Sequence, residues 1–198
     1  MGAIREPLPV KLLVGVLTSA PELLPAVEDM LTAAFGGIDA RSDLFPFDGT
    51  HYYDAEMGAP IWRLFLGFER LVAPERIAEA KVATNGMEAE LGARFPSAAR
   101  PVNLDPGYME QAKVVLASTK NFFHRVLVAR GVYAEVTLHY RDGGWRSFPW
   151  TFPDYGAGRY HPFFTALRER YRRQLDAAGF KVRLPGRSRR RGAAESHG

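Results

Sequence analysis

The chain has 198 residues, of which 46% are hydrophobic and 24% charged, which is enough apolar content for a real core in one domain. It has no cysteine, which excludes a disulfide framework and thiolate chemistry. The formal net charge of +4 is unevenly placed: six Lys or Arg and one Glu lie from Lys181 onward, leaving −1 on residues 1–180. The run Arg187-Ser188-Arg189-Arg190-Arg191 therefore predicts a disordered basic tail over 185–198, behind a single globular α+β domain over 1–184. Nucleic acid is a partner only through that tail. No apolar run approaches the roughly 18 residues of a membrane span, and the N-terminus lacks a signal-peptide layout. The expected location is cytoplasmic, with no membrane partner.

In chain order, Lys11 to Leu17 is a continuous apolar run, read as a buried strand. Ser19 and Glu22 have the spacing of a capping box and Pro21 suits a first turn, which predicts a helix ending near Phe35, before Gly36-Gly37. Ile38 to Phe47 reads as extended. The stretch from Asp48 to Gly58 then packs Asp48, Tyr52, Tyr53 and Glu56 into one polar loop. Loops of that composition carry sites, so these four are candidate ligand-binding residues. Pro60 to Glu69 alternates as a strand with Trp62, Leu64, Leu66 and Phe68 toward the core. Pro74 opens a helix to about Leu91. On it Lys81, Thr84, Asn85 and Glu88 fall at steps of three and four, forming one polar stripe. Thr-Asn-Gly at 84–86 is poor for helix propensity, so either a contact elsewhere holds these residues or the helix kinks or breaks at Gly86.

Asp105-Pro106-Gly107 reads as the cap and first turn of a helix running to about Ser118. Arg130-Gly131 is then a tight hairpin loop. With that loop, Ala129 faces Val132, Val126 faces Glu135, and His124 shares a face with Glu135, Thr137 and His139. Such a face is either a solvated sheet surface or a site. As a site, His124 would be an acid or base, Glu135 or Asp105 a general base, and Lys81 and Arg125 anion anchors. A metal reading has no ligand spacing to support it. Trp145 to Thr151 is expected to add a third strand, and Pro162 to Ala178 a last helix.

Several of these motifs together resemble a prokaryotic family known as domain of unknown function 4416, some of whose members are labelled GTP-binding protein. The resemblance runs from about Pro9 to Leu175. It rests on Lys11 to Leu17, the Asp48 to Gly58 block, Lys81 with Thr84-Asn85 and Glu88, Val102 to Tyr108, Leu116 to Lys120, His124-Arg125, Tyr133-Ala134-Glu135 and Trp150 to Tyr155. This chain has His51 where the pattern Asp-x-Thr-Asp-Tyr-Tyr carries an Asp. Neither a Walker phosphate loop nor an Asn-Lys-x-Asp base-reading motif is present.

The sequence thus predicts an α+β fold with a mainly antiparallel sheet, helices packed on one face, and a ferredoxin-like start. It points to a small-ligand-binding protein or enzyme with a polar pocket for an unknown small molecule. The cofactor stays unknown. The alternatives are an interaction protein without chemistry and a nucleic-acid-associated protein using the tail. The candidate site combines His124, Glu135 and Asp105 with Asp48, Tyr52, Tyr53, Glu56, Lys81, Asn85, Glu88 and Arg125.

Overall fold

The structure is a computed structural model, and it describes residues 3–50, 53–95 and 99–180. Tyr52, His51 and the basic tail lie outside the described residues. The strands are β1 Val10–Thr18, β2 Ile38–Arg41, β3 Phe45–Pro46, β4 Trp62–Val72, β5 Val102–Met109, β6 Lys113–Ser118, β7 Val126–Ala129, β8 Val132–Arg141 and β9 Gly144–Ser147. The helices are α1 Leu24–Phe35, α2 Asp54–Met57, α3 Ile77–Arg94, α4 Pro153–Gly156 and α5 His161–Ala177. All strands join one antiparallel sheet in the order β2-β4-β1-β5-β6-β8-β7, with β3 beside β4 and β9 beside β8. The fold is α+β.

Its first half has the expected ferredoxin-like layout. β1 and β2 both pair antiparallel with β4, so they run parallel to each other with β4 between them. β4 and β5 flank β1 in the same way. These are two split β-α-β units, connected by α1 and α3. Both helices pack on one face, where Val27 and Leu31 of α1 and Ala80 and Leu91 of α3 meet Leu12, Val14, Leu64, Leu66 and Leu104. The expectation of one-sided cover holds for α1 and α3, and α5 departs from it. Phe164 and Leu167 of α5 lie on the opposite face, against Leu13, Phe65, Met109, Val114 and Leu138. The reason is in β1, all nine residues of which are buried. A central strand that is apolar on both faces needs cover on both.

Three local expectations are corrected. There is no helix over 106–118; β5 and β6 occupy that stretch. A side chain at Gly107 would place its Cβ 2.3 Å from the Val115 carbonyl oxygen, so this glycine marks a close approach of strands rather than a turn. The Ser19–Glu22 capping box does not form. The Ser19 hydroxyl donates instead to the Met57 carbonyl, and Thr18 Oγ1 accepts the Ala20 N–H at 3.0 Å. In the β7–β8 hairpin Arg130 and Gly131 both take positive φ, 53° and 74°, as a primed two-residue loop needs. Ala129 faces Val132, but a bulge between Leu127 and Ala129 then moves Val126 opposite Ala134 instead of Glu135.

Candidate functional site

The site begins where the sheet forks. β5 and β6 pair only through Gly107–Leu116, Tyr108–Val115 and Met109–Val114. Just before Gly107, Pro106 has no N–H to offer a neighbour. Beyond that point side chains of α3 take the place of a strand. The Leu104 N–H donates to Glu88 Oε1 at 2.7 Å, and Lys81 Nζ donates to the Leu104 carbonyl at 2.8 Å. The polar stripe of α3 is therefore no solvated face. Lys81 and Thr84 are buried, and Thr84 Oγ1 donates back to the Lys81 carbonyl at 3.1 Å.

Alternation along β4 and β5 then sends Arg63, Asn103 and Asp105 to the face opposite α3, into the mouth of the fork. Arg63 is buried, with Nη1 3.4 Å from Asp105 Oδ2 and Nη2 3.2 Å from Asp154 Oδ2. Its guanidinium lies 5.3, 5.6 and 5.5 Å from the ring centres of Phe47, Phe65 and Tyr155. Burial alone would lower the pKa of Arg63, but the Tyr155 oxygen and the Asp154 and Asp105 carboxylates outweigh it and raise it. Burial also pushes the Tyr155 phenol well above its ordinary value. Asn103 Nδ2 donates to Asp105 Oδ2 at 2.8 Å, and the Arg100 guanidinium donates to Asn103 Oδ1 and to Glu88 Oε2, the latter at 2.8 Å. Asp105 Oδ1 accepts no hydrogen bond among the described residues; Lys81 Nζ stands 3.9 Å from it. At 26% side-chain exposure, Asp105 is the most open carboxylate of this group.

Across the fork, β8 presents Glu135. Its Oε2 accepts from Arg125 Nε at 2.7 Å and lies 2.9 Å from His124 Nε2, while Thr137 Oγ1 donates to Oε1 at 3.3 Å. Arg125 Nη1 also donates to Ser118 Oγ and to the Lys120 carbonyl. Residues 122–125 leave the strand in a turn, with the Arg125 N–H donating to the Phe122 carbonyl. That turn lets His124 reach Glu135 despite the bulge. The His124 ring is stacked on Trp150 at 5.4 Å and 9°, and Trp150 on Phe148 at 4.8 Å and 3°. His124 Nδ1 is buried and has no hydrogen-bond partner among the described residues.

These elements enclose a cleft of about 670 Å³. Of the candidate residues, Tyr53, Lys81, Asn85, Asp105, His124, Arg125 and Glu135 line it. Three described candidates do not. Asp48 is exposed and pairs with Arg159, Glu56 is exposed and pairs with Arg100, and Glu88 is spent on Leu104 and Arg100 behind the wall. The roles of those inside also differ from the simplest reading of their types. Lys81 and Arg125 are held by internal partners rather than open to an anion, and Glu135 is engaged on both oxygens.

Sequence reasoning missed Arg63, Arg100, Asn103, Trp150 and Asp154, all of which line the cleft. A signal existed for two of them. Arg63 shares its strand face with Phe65 and Gly67, which is no solvent face, and Asn103 is two residues from Asp105 on a strand. Trp150 and Asp154 lie in the Trp150 to Tyr155 block of the resemblance, which gave them no role, and nothing local marks Arg100.

A family model matches residues 8–171. The chain belongs to the family described as Domain of unknown function (DUF4416). The DUF4416 match spans every segment that lines the cleft. Neither the curated proteins nor the solved structures hold a match to the chain. Among the described residues, no helix is long and apolar enough to cross a membrane.

Proposed function

We propose that this protein binds a small, flat molecule carrying hydrogen-bond donors, in the cleft at the fork between β5 and β6. One observation carries the reading: Asp105, the most open carboxylate of the cleft wall, leaves one oxygen without a hydrogen bond among the described residues, beside aromatic side chains. Asp105 Oδ1 accepts nothing, and the Asn85 amide has no hydrogen bond among the described residues. Trp150, Phe122, Phe123 and Phe152 line the same space. The volume lies within the usual range of small-molecule pockets, roughly 300–1,000 Å³.

The charges in the wall favour a ligand of little net charge. Arg63, Lys81, Arg100 and Arg125 are each matched to a carboxylate or a carbonyl. A free anion would find no uncommitted cation among these four. A ligand N–H pair, in contrast, meets a carboxylate oxygen that has only a distant ammonium near it. On this reading Asp105 receives the ligand, Asn85 sets its orientation, and Glu135 is a positioning residue that fixes His124 and Arg125.

The test uses 2-aminobenzimidazole, a flat ring with adjacent N–H donors, and benzoate, a flat ring with the opposite charge pattern. Tryptophan fluorescence follows each titration, since Trp150 lines the cleft. Saturable quenching by 2-aminobenzimidazole and none by benzoate is the expected result. The reverse order of affinity refutes the acceptor reading of Asp105.

A further inference from the structure

We propose that β7 is the surface through which two copies of this chain associate, edge to edge, continuing the sheet across a two-fold axis. Among the described residues β7 is the last strand on its side and pairs only with β8, so one row of its backbone N–H and C=O groups faces outward. All four of its residues are exposed, and three are large and apolar: Val126 at 69%, Leu127 at 58% and Val128 at 45%. Phe122 and Phe123, just before it, are 59% and 83% exposed.

Sheet edges in monomeric proteins are guarded by charge, proline or cover, because a bare edge templates pairing. The two edges of this sheet differ in that respect. β2, at the far side, reads Ile-Asp-Ala-Arg; Asp39 pairs with Lys11 and Arg41 with Glu28. β7 reads Val-Leu-Val-Ala and has neither charge nor proline. Of the two cations that flank it, Arg125 is turned inward onto Glu135 and Ser118, and Arg130 is exposed in the loop beyond Ala129. The bulge after Leu127 and the loop cation Arg130 are the guarding features among the described residues.

A second copy is the occupant that fits this patch. An antiparallel strand pair about a two-fold axis needs the same surface twice, and that surface exists here once per chain. The five exposed side chains carry roughly 500 Å² of apolar area, taking about 150–200 Å² for each fully exposed side chain. With the strand backbone added, this approaches the roughly 800 Å² per partner of a stable interface. The interface would also adjoin the cleft, because Phe122 and Phe123 line it, but the proposal does not depend on any ligand.

The experiment uses the full chain. Light scattering after gel filtration at about 50 μM should give twice the 22.1 kDa monomer mass. Leu127→Lys should restore the monomer mass with unchanged circular dichroism. Because the chain has no cysteine, single Leu127→Cys and Val128→Cys variants give a second readout that needs no loss of structure. Under mild oxidation at least one of them should form a covalent dimer, while Val82→Cys, on the exposed side of α3, should not. A monomeric wild type at that concentration overturns the proposal. So does a dimer that persists in Leu127→Lys, or one in which neither β7 cysteine cross-links.

Discussion

Lys81 donates a 2.8 Å hydrogen bond to the carbonyl of Leu104, so a helix side chain stands where a neighbouring strand would close the sheet. The fork, and with it the cleft, depends on this substitution of side chain for strand. Lys81→Met keeps the length and apolar stem but leaves a buried carbonyl without a donor and Asp105 and Glu88 without their ammonium. The expected cost is about 2 kcal/mol, seen as a lower urea midpoint at unchanged slope. Glu88→Gln, which still accepts from the Leu104 N–H, should cost less than Lys81→Met.

Glycines separate structural from permissive positions. Gly107→Ala puts a methyl 2.3 Å from the Val115 carbonyl oxygen and 2.7 Å from Leu116 Cδ2, so β5 and β6 must part. We expect a loss of about 3 kcal/mol or more, or no folded protein. Gly86→Ala, in the interior of α3 with nothing within 4 Å of the added methyl, should stabilise by about 0.5–1 kcal/mol. Thermal unfolding of the two variants checks the opposite signs.

Glu135 is nearly buried between Arg125 and His124. Glu135→Gln keeps the shape but removes the charge that offsets a buried guanidinium. The expected loss is on the order of 2–3 kcal/mol, below the effect of removing a buried partner outright. Thr137→Ala, which removes only a 3.3 Å hydrogen bond to the same carboxylate, should cost about 1 kcal/mol. Denaturant unfolding ranks the two, and an equal loss from both would show that the Glu135 charge carries no weight.

The alkaline limit of stability follows from buried phenols. Burial is the main cause that raises Tyr160 and Tyr171 from 10.0 to about 12, helped by Asp154 and Glu110 respectively. Between pH 10 and 12 the unfolded chain loses these protons while the folded chain keeps them. Their stabilisation is therefore complete below pH 10 and is lost as pH rises toward 12, on the order of 2 kcal/mol per phenol. Lys11 acts with the opposite sign: its burial lowers its pKa, so its proton leaves the folded chain first, and stability rises with pH just below 10.5. The phenols dominate above pH 10. Tyr160→Phe should flatten the fall in stability between pH 10 and 12, measured by urea unfolding at several pH values.

How much of this was legible in the sequence depended on whether a residue's signal was local. The strand at Lys11 to Leu17, the helix after Pro74 and the Arg130-Gly131 turn follow from period and turn chemistry within a few residues. The stripe of Lys81, Thr84, Asn85 and Glu88 was visible from its spacing, but the partners outside α3 belong to Lys81 and Glu88, while Thr84 bonds back within the helix and Asn85 has no hydrogen bond among the described residues. The segment 106–118 was misread because Pro-Gly signals a helix start, a turn and a break between strands alike. Only the crossing of β6 at Gly107 decides among them, and that is a contact between strands. Arg100 enters the cleft from a loop and Asp154 from the short helix α4, and both positions are set by the whole fold. The Leu127 bulge shifted the hairpin register by one residue, which alternation alone does not show.

The central claim, that the cleft binds a flat donor-bearing molecule through Asp105 and its aromatic wall, is tested most directly by calorimetry. 2-Aminobenzimidazole is titrated into wild type, Asp105→Asn and Trp150→Ala, each first shown to melt cooperatively. The account predicts a single saturable site in the wild type and at least a tenfold weaker one in both variants, a change of about 1.4 kcal/mol. Absence of saturable binding to the wild type, or equal affinity in all three proteins, would contradict it.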